Sequence, residues 1–191
     1  MQKLSSITDK LAGPAAILAG AAFAAGGITE IVHSQRHAGN RVVGVAGYLA
    51  LSFFVVALIS VAPSFLALAR RARPGMATKA ALAAAGTAVL GLTSITSIVN
   101  GHDLGLFNVV APATNGAWLV GSIILAVSLK RAGTVPTAIA VGLAITWLAT
   151  IPLATVGGGI ISGAYYLALG CLLANRADGQ TGSTAALPAS V

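Results

Sequence analysis

Glu30, His33 and His37 are three and four residues apart, which on a helix places a carboxylate and two imidazoles within an arc of about 60°. Arg36 and Arg41 follow closely, so this chain of 8% charged residues concentrates charge at the end of its first apolar run. Three kinds of chemistry suit the pattern. With His102, Glu30, His33 and His37 could supply the ligands that zinc or a similar ion requires. A carboxylate at the edge of hydrocarbon and histidines titrating near neutrality could serve acid–base chemistry or proton-sensitive gating. The plainest arrangement, and the leading one, pairs Glu30 with Arg36, Arg41 or a histidine in a solvated loop. The candidates for catalysis are Glu30, Asp103, His33 and His102.

The elements that would position these groups belong to a membrane. Hydrophobic residues make up 57% of the 191, whereas soluble domains are about a quarter charged. Six apolar runs lie near 13–33, 42–68, 80–100, 105–129, 136–155 and 158–175. Each is close to the ~20 residues that carry a helix across about 30 Å of hydrocarbon. Backbone amides must be paired within such a segment, which favours helices over a barrel. The expected fold is an all-α integral membrane protein, six transmembrane helices in one compact bundle over residues 1–177. The first ten residues read as a polar lead, with Pro14 in the first turn of the first helix. Residues 178–191 read as a disordered cytoplasmic tail. A competing reading, a removable signal cleaved after Ala24, is disfavoured because the apolar stretch continues to Val32.

The net charge of +7 does not point to nucleic acid, because the basic residues occupy short loops between apolar spans. With a cytoplasmic N-terminus, Lys3, Lys10, Arg70, Arg71, Arg73, Lys79, Lys130, Arg131 and Arg176 fall inside and only Arg36 and Arg41 outside. The positive-inside rule then puts both termini in the cytoplasm of a multi-pass cell (inner) membrane protein. Every histidine, with Glu30 and Asp103, falls at the outer face, although lysine and arginine alone set the orientation.

Polar residues extend that asymmetry into the spans. Thr93, Ser97 and Asn100 share one face of the third, and Asn108, Pro112 and Asn115 one face of the fourth. A ligand site is expected from Glu30, Thr93, Ser97, Asn100, Asn108 and Asn115, formed by the first, third and fourth spans and open outward. For each serine and threonine the competing role is a bond to its own helix. Gly157-Gly158-Gly159 reads as a tight, mobile turn, and Cys171 as a packing residue in the sixth span. Ser162 has no histidine in the fifth or sixth span to activate it. Ile28-Thr29-Glu30-Ile31-Val32-His33 is echoed by Ile95-Thr96-Ser97-Ile98-Val99-Asn100, so the spans read as three pseudo-repeated hairpins.

No ionisable residue falls at the membrane centre, which argues against a pump driven through a central carboxylate. The functional expectation is a protein that binds or passes a small solute or lipid-like ligand through an outward polar pocket, with no cofactor. The alternatives are an intramembrane isomerase or cyclase using Glu30 or Asp103, and a non-catalytic accessory or immunity subunit. Its partners would be the bilayer and that small molecule, and the small-residue helix faces would also suit a homo-oligomer.

Overall fold

The computed structural model describes residues 2–33, 42, 44–72 and 77–182, with side chains over 10–32, 42, 44–72 and 82–175. The described chain is helical: α1 (Gln2–His33), α2 (Gly44–Arg71), α3 (Ala77–Asn100), α4 (Phe107–Ala132), α5 (Thr137–Thr150) and α6 (Gly158–Gly182), with a single 3₁₀ turn at Ala154–Val156. Five of the six are long and apolar enough to cross a membrane. Each helix packs mainly on its neighbours in sequence, and α6 returns along α1, so the bundle closes as a ring.

The boundaries correct several expectations. The polar lead is helical from Gln2 onward, which moves Pro14 from a first turn to the helix interior. Proline there removes the bond to the Lys10 carbonyl and crowds that carbonyl with its ring, and Pro14 sits on an exposed face. At the other end α6 continues to Gly182, past the expected start of the tail, while 183–191 lie outside the described residues.

The largest departure is the fifth span. α5 has 14 residues, about 21 Å of helix against the ~30 Å of a hydrocarbon core. Pro152 cannot donate to the Leu148 carbonyl; the Leu153 N–H reaches it instead, at 3.3 Å, and widens the turn. Gly157 then takes φ of 89°, in the left-handed region. Gly158 and Gly159 are the first residues of α6, not a free-standing turn. A Cβ on Gly158 would lie 1.8 Å from the Ala149 carbonyl oxygen, so only glycine lets α6 start against the last turn of α5.

The α1–α6 contact depends on small residues. A Cβ on Gly20 would come within 2.7 Å of the Leu167 backbone nitrogen, and Gly27 and Gly13 similarly face Gly159–Ile160 and Ala174. The pairing is antiparallel, with backbones close enough for dispersion to replace the hydrophobic drive that lipid cannot supply. The core between the helices is filled by Trp118, Tyr166, Phe65, Leu58, Leu68 and Leu125, all buried.

Candidate functional site

A cleft of about 200 Å³ lies where the break after α5 meets the ends of α1 and α2 and the start of α6. α1 contributes Phe23, Gly26, Gly27 and Glu30; Phe23 and Glu30 are seven residues apart and therefore on one face. α2 supplies Gly47, Leu51 and Phe54, and the broken segment supplies Thr150, Ile151 and Ala154. The walls are apolar, with Glu30 and Thr150 as their polar side chains. Glu30 is half-buried and has an interaction of its own.

The aromatic floor is tightly coupled. Phe23 stacks on Tyr166 with ring centroids 5.5 Å apart, and meets Phe54 edge-on at 6.3 Å. Beside this floor the α5–α6 seam is polar. Thr150 Oγ1 lies 2.7 Å from Ser162 Oγ, and Ser162 donates to the Thr146 carbonyl at 3.3 Å. Thr146 in turn donates to the Leu143 carbonyl at 2.9 Å. All three residues are buried. Ser162 is thus a seam hydroxyl that joins two helices.

Of the six residues expected to form a ligand site, Glu30 lines this cleft and the other five are not among its lining residues. The cleft belongs to α1, α2, the α5 break and α6, whereas the expected pocket drew on α3 and α4. Thr93 bonds back to the Val89 and Leu90 carbonyls at 2.9 and 3.0 Å, and Asn100 to the Thr96 carbonyl at 2.7 Å. Ser97 is buried without a hydrogen-bond partner, and Asn108 is exposed at the start of α4. Asn115 joins helices: its Nδ2 donates to the Ala111 carbonyl at 2.9 Å and its Oδ1 accepts from Trp147 Nε1 at 3.2 Å.

His102 and Asp103 sit in the α3–α4 loop and are not among the residues lining the cleft. Gly47 faces the cleft, while the adjacent Tyr48 brings its hydroxyl against Gly101. The Val42 N–H donates to the Gly101 carbonyl at 3.0 Å, so the α1–α2 and α3–α4 connections meet at the same end. His102 is exposed, with Nδ1 3.1 Å from the Asp103 carbonyl oxygen. Among the described residues no three of His, Cys, Asp and Glu gather to hold a metal. The His33 side chain and all of His37 lie outside the described residues.

No family model, curated protein or solved structure matches the chain. Its chemistry is therefore read from the cleft. The described lining combines apolar walls and two aromatic rings with one carboxylate and one hydroxyl. Among the described residues, Glu30 is the ionisable one that lines this cleft.

Phe23, Phe54 and Thr150 were not among the expected site residues. Their signal in the sequence is Pro152, a helix breaker inside an apolar span, which marks where helix packing opens.

Proposed function

We propose that this multi-pass helical protein binds or passes a small, lipid-like molecule in the cleft at the α5 break. The observation that carries this reading is the cleft itself. Apolar walls with few polar groups are the usual make-up of small-ligand sites, and discontinuous spans are where membrane carriers commonly place them. A volume of about 200 Å³ compares with the ~150 Å³ engineered cavity that takes up benzene. The basic residues described at the opposite end, Lys10, Arg70, Arg71, Lys130 and Arg131, support a cytoplasmic placement of that end and an outward-facing cleft in a cell membrane.

Filling the cleft is the test. A Cβ on Gly26 would meet Phe53 at 3.4 Å, an ordinary contact, so Gly26→Leu should project into the cleft and leave the bundle folded. A diazirine-bearing octane, photoactivated on protein in lipid nanodiscs, should label cleft peptides of the wild type and lose that labelling in Gly26→Leu. Equal labelling of a folded Gly26→Leu variant would remove the cleft as the binding site.

A further inference from the structure

The exposed faces of α2 and α4 end alike. On α4, Val120, Ile123 and Val127 are exposed apolar residues spaced three and four apart, and the exposed Lys130 and Arg131 continue the row. On α2, Ile59 and Leu66 form such a row, and Arg70, one turn on, is exposed at its end. In a bundle that crosses a bilayer these rows face acyl chains. A lipid lying along either one brings its headgroup to the basic residues.

The two basic ends also agree in depth. Leu58 of α2 meets Gly91 of α3, and Ala83 of α3 meets Gly121 of α4. Counted from these contacts at about 1.5 Å per residue, Arg70 and Lys130 lie within about 8 Å of each other along the bundle axis. That is close to the thickness of one headgroup layer. α2 and α4 pack on each other directly as well as on α3, so their ends are neighbours.

Charge at this corner is of one sign. Lys130 and Arg131 add two cations to a helix terminus whose dipole offsets about half of one. Between Glu30 and Asp178 the only acidic residue is Asp103, in the loop at the opposite end. Lys10, by contrast, directly follows Asp9. Arg70 and Arg71 have interactions of their own within the protein, so Lys130 and Arg131 are the principal contacts offered to an anion.

We infer that the ends of α2 and α4 form a binding site for an anionic phospholipid. Its phosphate lies against Lys130 and Arg131, Arg70 adds to the field, and its chains follow Val120, Ile123 and Val127. A zwitterionic headgroup carries its own cation and gains less there. The site is separate from the cleft and does not depend on which way the bundle is oriented.

Native mass spectrometry of the full-length protein in detergent, titrated with phosphatidylglycerol or phosphatidylcholine of the same acyl chains, tests this. The first phosphatidylglycerol should bind at least about fivefold more tightly, the contribution of one basic residue at an anionic surface. The double variant Lys130→Gln, Arg131→Gln should lose that preference. The charge-conserving double variant Lys130→Arg, Arg131→Lys should keep it, as should Lys10→Gln. Excess inorganic phosphate should leave the lipid bound, because the chains hold part of the affinity. Equal binding of the two lipids overturns the inference, as does a preference that survives in the glutamine double variant or is lost equally in Lys10→Gln. Displacement of the lipid by inorganic phosphate overturns it in favour of a site for free anions.

Discussion

The hydroxyl of Thr150, on the last turn of α5, lies 2.7 Å from that of Ser162 on α6. This pair ties the two helices together beside the break at Pro152, where α5 stops well short of a full span. A helix interrupted inside hydrocarbon must pair its freed polar groups with protein; the Leu153 N–H on the Leu148 carbonyl and the Gly158 N–H on the Leu153 carbonyl do so.

Ser162→Ala should therefore destabilise the bundle by about 1 kcal/mol, because it removes the hydroxyl to which Thr150 is bonded. Thermal unfolding in detergent of Ser162→Ala, Thr150→Val and the double variant measures it. The double variant should cost less than the sum of the singles; simple additivity would mean the two hydroxyls do not interact.

Tyr166 makes the opposite case. Its ring is fully buried and stacked on Phe23, but its hydroxyl, which lies beside the Thr146 side chain, makes no hydrogen bond of suitable geometry. Tyr166→Phe should leave stability unchanged or raise it by up to about 1 kcal/mol, since an unsatisfied buried group is removed without altering shape. A clear loss of stability would show that a bound water or other group satisfies the hydroxyl.

Asn115 joins α4 to α5 through the indole of Trp147 at 3.2 Å. Interhelical bonds of this type contribute about 0.6 kcal/mol on average in membrane bundles, so Asn115→Leu should lower stability by roughly that amount. In protein carrying nitrogen-15 tryptophan, the Trp147 indole resonance should move upfield and that of Trp118, one turn along α4, should move less. An unmoved Trp147 signal would deny the bond.

Glycines separate by what surrounds them. Gly20→Leu would drive a side chain into the Leu167 backbone, 2.7 Å from its Cβ, and should cost about 3 kcal/mol, at the upper end of overpacking penalties. Gly116 has nothing within 4 Å, so Gly116→Ala should stabilise α4 by up to about 1 kcal/mol through helix propensity. Equal responses in thermal unfolding would contradict the α1–α6 seam.

Orientation is open to direct labelling. In a Cys171→Ser background, Leu106→Cys lies in the loop before α4 and Thr137→Cys at the start of α5, both exposed and at opposite ends of the bundle. A membrane-impermeant maleimide added to intact cells should modify the cysteine at 106 and spare that at 137. The reverse pattern would invert the topology.

The membrane character, the helical class and five full-length spans were legible in the chain because each depends on a run of apolar residues, a property local to the segment. The concentration of basic residues at the ends of α2 and α4 could be read for the same reason. The length of the fifth helix was not legible, because the composition stays apolar past its end. One residue, Pro152, ends the helix, and composition averages over it. The polar stripe of α3 also read as a site for a local reason: Thr93 and Asn100 do share a face, but both satisfy themselves on the preceding turn, an option that spacing alone leaves open.

By itself the sequence determined that the chain folds as apolar helices and that Glu30 stands near the end of the first. Only the tertiary structure decided that Glu30 shares a cleft with Phe23, Phe54 and Thr150, and that α6 closes the ring against α1. Helix formation is settled within each segment by hydrogen bonds four residues apart. Which faces meet depends instead on where backbones can approach, and that is fixed jointly by glycines such as Gly20 and Gly163 on helices far apart in the chain.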